Sequence, residues 1–283
     1  MKYYFLRLLL PDVDEVDGTL RLFEKTNRDE YLKQLFGERI DFSHAGSEFA
    51  YVPTEQIDFD NGKIMIGKIG KKKTETENLP PDKNLDETEH TGWHATYILV
   101  DTRDFSDGQK IAFQYNRDVG QPLPIMKNFI KCLNDENKGS GWNIEVRLIT
   151  HPVTFWEAVK ENEGKITSVT FSFTTPNILR LKNSLTEELG RNRIERNASE
   201  VAMTIKNAEG NLKISKEDKE TNDAVEYISE GGGEAQIKSG VNKVFDSSEE
   251  GKIQEKEIED EKRENEDEAS RWKRIVKQLF NRR

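Results

Sequence analysis

A single cysteine in 283 residues excludes an intramolecular disulfide framework. No apolar run approaches the roughly 18 residues needed to cross a bilayer. The apolar opening Met1 to Leu10 is split by Arg7 and followed by Pro11-Asp12 with no small-residue cleavage site, so it reads as a buried first strand and not as a signal peptide. Only four histidines are present, which leaves little for imidazole chemistry. What the chain has in excess is charge: 34% of residues are charged, above the roughly 25% of ordinary soluble domains. With 43 basic and 53 acidic side chains, the net charge is −10. That balance opposes nonspecific nucleic-acid binding by the whole chain but leaves room for a local basic groove. The lone thiol, Cys132, lies in an apolar helical pattern and reads as an inert core residue of a protein in a reducing cytoplasm.

The length suits one large domain or two small ones. Residues 2 to 10, 48 to 52, 63 to 69, 95 to 101 and 110 to 115 are short β-branched or aromatic runs punctuated by Asp, Gly, Asn and Pro, the pattern of strands and turns. The first 120 residues are therefore read as mainly sheet, with a helix over 27–36 carrying Tyr31, Leu32, Leu35 and Phe36 at helical spacing. The segment Lys71 to Gly92 holds Pro80, Pro81 and many charges, and reads as a mobile loop.

From Gln121 to residue 246 helices and strands alternate. Pro122 and Pro124 suit a first helical turn, where their missing N–H groups have no intrahelical partner. Ile125, Met126, Phe129, Ile130 and Leu133 then make one apolar stripe. Strands are expected at Trp142 to Ile149, Lys165 to Thr174 and Glu200 to Lys206, with helices after His151-Pro152, from the capping box Ser184/Glu187 to about Arg196, and from Ser215/Asp218 onward. Gly231 to Gly233 stop the last helix, and Glu234 to Phe245 reads as a hairpin turning at Gly240. The fold class is thus α+β: a mixed or antiparallel sheet with packed helices. The order from Trp142 is that of a ferredoxin-like βαββαβ unit with an inserted helix, in its own sheet or in one shared with the first part.

The tail reverses sign. Residues 249 to 268 contain eleven acids and four bases, whereas 269 to 283 contain six bases and no acid. The segment 247–268 is expected to be an acidic linker or solvated helix, because Ile253 and Ile258 are its only large apolar residues. In 269–283, Trp272, Ile275, Val276, Leu279 and Phe280 form one apolar stripe flanked by bases. Such a helix must dock on its own domain, on a partner protein or on an anionic membrane surface. The functional reading assigns the stripe to a protein partner, with peripheral membrane contact behind it.

Motifs that could carry chemistry are weak. Gly62 to Ile69 has the glycine and lysine spacing of a phosphate-binding loop, but Ile69 replaces the magnesium-holding hydroxyl and the intervening residues read as strand. Asp12 to Gly18 lacks the calcium-loop oxygens at the fifth and twelfth positions, where Val16 and Phe23 stand. His90 and His94 have a spacing seen in zinc sites but no nearby third and fourth ligands in sequence, and no metal or cofactor is assigned. Glu145-Val-Arg147 is a faint echo of a nuclease strand. Two basic clusters, Lys68, Lys71, Lys72 and Lys73, and Arg191, Arg193 and Arg196, could contact phosphates if they converge. Phe171 and Phe173 share a sheet face and could stack bases, although core packing is the stronger reading.

Phe49 to Pro53, Gly67 to Gly70, Gly108-Gln-Lys110, Phe155-Trp156, Ile166 to Phe173 with Thr175-Pro-Asn177, and Tyr227 with Gly231 to Gly233 resemble segments of a poorly characterised bacterial family found near mobile elements and phage-defence genes. The resemblance covers about residues 2–246 and supplies no catalytic residues. It implies a cytoplasmic binding or sensing component of an anti-phage or mobile-element system, which the tail helix would join to a partner. The alternative is a nucleic-acid-directed effector, a nuclease or toxin, acting through the basic clusters. No catalytic constellation is visible.

Overall fold

The computed structural model describes residues 1–10, 27–103, 109–137, 142–174, 192, 196, 198, 200–249, 251–259 and 266–281. Among them the fold is α+β, with two antiparallel sheets and packed helices. The larger sheet is built on β1 (Lys2–Leu9), whose alternating side chains are apolar on both faces except at Lys2 and Arg7. Strands β2 (Ile40–His44), β3 (Ser47–Phe59), β4 (Gly62–Asn78), β5 (Glu87–Asp101) and β6 (Gln109–Gln114) form a meander that ends beside β1. On the other edge of β1, β12 (Glu255–Glu257) pairs with Lys2 to Tyr4 and β7 (Glu145–Leu148) with Leu6 to Leu9.

Two cores follow from the alternation. Leu6, Leu8 and Leu10 face α1 (Arg28–Leu35) and α2 (Pro122–Glu136), whose stripe from Ile125 to Leu133 is buried there. On the opposite face, Tyr3, Phe5, Ile57, Ile64, Ile66 and Leu99 receive the C-terminal helix Glu268–Phe280. Trp272, Ile275, Val276, Leu279 and Phe280, the side chains expected to grip a partner, are all buried in this core. The reason is geometric: a sheet apolar on both faces needs a cover on each, and among the described residues the terminal stripe supplies the second. Polar contacts lock the helix in place. Asp267 caps it by accepting from Ser270 N at 2.7 Å. Arg274 holds Glu266 through two bonds and donates to Glu259 O at 2.9 Å. At the far end buried Arg103 grips buried Asp101 at 2.8 Å and reaches Phe280 O at 3.4 Å.

The smaller sheet contains β8 (Ser168–Thr174), β9 (Glu200–Lys206), β10 (Gly233–Ser239) and β11 (Asn242–Asp246) in the order β11-β10-β8-β9. Its inner face packs on α3 (Val153–Glu161) and α4 (Lys219–Tyr227). The strand expected to open a ferredoxin-like unit, Trp142 to Ile149, forms as Glu145–Leu148 and pairs with β1 of the larger sheet, so the smaller antiparallel sheet is built without it. Asp218 caps α4, and Gly240 takes a left-handed φ of 62° in the β10–β11 turn. The expected helix Ser184 to Arg196 lies outside the described residues, apart from Asn192 and Arg196.

Two further expectations are corrected. The segment Lys71 to Gly92 is not a loop: β4 and β5 pair continuously from Lys72↔Trp93 to Asn78↔Glu87, beyond the reach of β3 and β6. The alternating Thr favour extended backbone, while the intervening Glu leave the ribbon without any apolar signal. The acidic segment is also not wholly a solvated linker. Ile258 is buried, Ile253 bridges to Thr150, and Glu255–Glu257 completes the sheet edge.

With Trp272 1% exposed in the second core, Trp272→Ala should cost about 3–5 kcal/mol in urea unfolding of the full chain. A stripe presented to a partner would instead leave stability within about 0.5 kcal/mol of wild type.

Candidate functional site

The two layers meet along the outer edge of β7. Asn134 of α2 pins the start of that strand, donating to Ile144 O at 2.8 Å and accepting from Ile144 N at 2.9 Å. Ile149 N donates to Phe5 O, so the ladder alternation turns the main chains of Glu145 and Arg147 toward β1 and those of Val146 and Leu148 away from it. Away from β1 lies a cleft of about 390 Å³ between α2, β7 and the smaller sheet. Its charged lining is balanced: Lys127, Lys131 and Arg147 against Asp135, Glu145 and Glu234.

A row of charge runs from this cleft under the junction. Arg147 stands opposite Arg7, Arg7 opposite Lys110, and Lys110 opposite Asp101, all on the sheet face that also carries the C-terminal helix. Arg147 pairs with Glu145 at 3.3 Å and Lys110 with Glu230 at 3.2 Å. Arg7 is 2% exposed; its Nη1 donates to Glu230 O at 2.8 Å, and its Nε has no partner. Burial lowers the Arg7 pKa from its ordinary value, against Tyr227 and Glu230, which favour the charge. The covering turn, Ile228–Gly232, can come this close because Gly231 adopts a φ of 81° and a Cβ there would lie 2.9 Å from Arg7 Cβ. Tyr227 is buried beside it and donates to Thr174 O at 2.6 Å; burial raises its pKa although Arg7 and Arg147 pull it down.

The lysines of the first sequence-selected basic cluster are split between the two faces of β4. Lys68 and Lys72 lie on one face of β4, with Lys71 and Lys73 on the other. Lys68 covers the Tyr97 ring at 4.8 Å, Lys72 pairs with Glu48 at 2.8 Å and Lys73 with Glu75 at 2.8 Å. Arg196 is exposed and bonds Asn192, while Arg191 and Arg193 lie outside the described residues. Phe171 and Phe173 are core residues of the smaller layer. His90 and His94 flank Glu75 at 3.9 and 3.5 Å, with Lys73 already on that carboxylate. Among the described residues no group of three His, Cys, Asp or Glu side chains is arranged to hold a metal ion. Gly62 to Ile69 is part of β4, and Cys132 is half-buried, its thiol pKa raised by burial.

Sequence reasoning missed Arg7, Lys110, Lys127, Lys131 and Tyr227 as a group. One signal was available: Arg7 is the only charge between Leu6 and Leu10, which is where a buried functional cation would show. The rest converge only through the topology. No protein-family model matches the chain, and neither curated proteins nor solved structures yield a significant match. Among the described residues no helix is long and apolar enough to cross a membrane.

At the cleft's rim, burial alone would raise the Asp246 pKa. Hydrogen bonds from Ser248 at 2.6 Å and Lys243 at 3.0 Å outweigh it and hold the carboxyl below its ordinary value. A depressed folded-state pKa contributes stability above the ordinary carboxylate range, and that contribution is lost as pH falls through the depressed value. Urea unfolding at pH 7, 5, 4 and 3 should therefore show Asp246→Asn less stable than wild type at pH 7, with the gap closing toward pH 3.

Proposed function

We propose that the protein is a cytoplasmic binding or sensing component that receives its ligand in the cleft between α2, β7 and the smaller sheet. The single observation behind this reading is the convergence there of charged side chains from three separate elements on one concave surface. No nucleophile with an adjacent base stands out in the cleft, so the reading assigns recognition and no reaction. Segment resemblance to proteins of phage-defence and mobile-element loci supplies the setting. A protein partner, in this reading, meets surfaces other than the buried stripe of the C-terminal helix, which we now call α5 (Glu268–Phe280).

The test is a thermal-shift screen of nucleotides, amino acids and short peptides against wild type and Lys131→Trp. Lys131 is exposed on α2 at the cleft, so a tryptophan there fills the cleft without entering the core. Compounds that raise the wild-type melting temperature should lose their effect in Lys131→Trp. An empty screen, or hits indifferent to the substitution, would sink the reading.

One observation favours the nucleic-acid alternative at a different place. A shallow groove beside α5 is lined by Lys256, Lys273, Arg274 and Lys277 with no carboxylate in its lining. Arg274 is committed to Glu266, so Lys273 and Lys277 are the groups to test. If the groove holds a phosphate backbone, Lys273→Glu/Lys277→Glu should weaken binding of a labelled duplex and flatten its salt dependence by a slope of about 2, near 0.9 per lost phosphate contact. Anisotropy titrations over a range of salt give both numbers, and an unchanged slope removes the alternative.

A further inference from the structure

We propose that the ligand of the cleft is a phosphate-bearing anion, seated against Arg147 at the strand edge and reached by the buried Arg7 beside it. The inference rests on the cleft reading and names its ligand class. The argument begins with charge accounting along the row. Arg147 has Glu145 and Lys110 has Glu230, each within salt-bridge distance. Between them Arg7 is the most buried of the three cations, and no carboxylate lies within salt-bridge distance of it among the described residues. Its one recorded bond is to a carbonyl, and its Nε donates to nothing.

A guanidinium removed from water with no carboxylate in direct contact loses hydration that the more distant Glu230 charge does not fully replace. An apolar side chain of similar length would close the junction against Gly231 without that cost. The charge therefore makes physical sense if an anion completes the site. Paired strands lie about 5 Å apart, so the stems of Arg7 and Arg147 leave their backbones within the span of a single phosphate group. Two guanidinium forks suit the oxygens of phosphate better than one carboxylate plane, because each fork can take a separate pair of oxygens. On binding, Arg147 exchanges its Glu145 partner for the ligand, while Lys127 and Lys131 on α2 face the outer part of the molecule. Thr150 and Ser248 line the same space with hydroxyl groups.

Calorimetric titration of the full-length protein with inorganic pyrophosphate and, separately, with ADP tests the seat, with sodium chloride at matched ionic strength as the control. Saturable binding of either anion is expected. Comparable affinities mean that the phosphates alone are recognised, and an affinity for ADP at least tenfold tighter means that the ligand is a nucleotide. Arg147→Gln, at the accessible strand edge, should weaken binding at least tenfold. Arg7→Met should do the same while leaving the ligand-free protein at least as thermostable as wild type, since it removes an incompletely compensated charge. If Arg7→Met fails to fold, Arg147→Gln decides. No heat from either anion, or undiminished binding by folded Arg147→Gln, overturns the proposal. Should neutral amino acids or peptides bind wild type but not Lys131→Trp while both anions fail, the cleft reading survives and the anion is wrong. Should nothing bind, both fall.

Discussion

A sheet whose strands are apolar on both sides must be covered twice, and this constraint organises the molecule. Tyr3 and Phe5 point one way from β1 while Leu6 and Leu8 point the other, and the same division continues through β4, β5 and β6. Helices α1 and α2 follow from local sequence and cover the first face. The second face waits for α5, more than 150 residues after the meander closes. The segment between them builds the smaller layer and then returns along the free edge of β1 as β12. The start of β1 is consequently tied to the segment that follows β12, with Met1 and Ile258 in backbone contact.

That dependence explains which parts of the fold were legible in the sequence. The stripes of α2 and α5 are visible because helical periodicity is a local property of five or so residues. What covers a stripe is not local, and neither composition nor spacing distinguishes a sheet face of the same chain from a foreign surface. The ribbon of β4 and β5 was hidden for another reason: Thr74, Glu75, Thr76 and Glu77 pair with Thr88 to Thr91 through backbone bonds and polar side-chain contacts, with no apolar residue to mark the strands. Short β2, five residues between a helix and a turn, offers only Ile40 and Phe42 as buried positions. Strand β7 alternates as expected, but no sequence pattern tells which of two sheets it joins.

The candidate site was less legible still, because it belongs to the seam. Arg7 comes from the first strand, Lys110 from the sixth, Arg147 from the edge strand and Tyr227 from the last helix of the smaller layer. Bonds among the described residues that hold the seam include Thr150 N to Ser229 O, His151 N to Lys252 O, and the contacts of Arg7 and Lys110 with Glu230. Its closeness depends on Gly231, where a side chain would meet Arg7. A polar seam between two apolar cores is where charge can be buried without breaking either core, and it is there that the charged lining of the cleft gathers.

Closing the stripe also limits what the basic end of the chain can do. Releasing Trp272, Ile275, Val276, Leu279 and Phe280 forfeits about 1.5–3 kcal/mol for each side chain, or about 8–15 kcal/mol in all as an upper estimate. A typical domain is stable by only about 5–15 kcal/mol. Undocking α5 to insert it into a lipid surface or a partner's groove is therefore comparable to unfolding the sheet that it covers, before Arg103, Arg274 and Lys256 lose their carbonyl acceptors on or beside the helix. A helix held this way acts through its outward side. The polar face that carries Lys273 and Lys277 stays available while the apolar face does not, so the nucleic-acid reading of this end requires contacts that are electrostatic and weaken with salt.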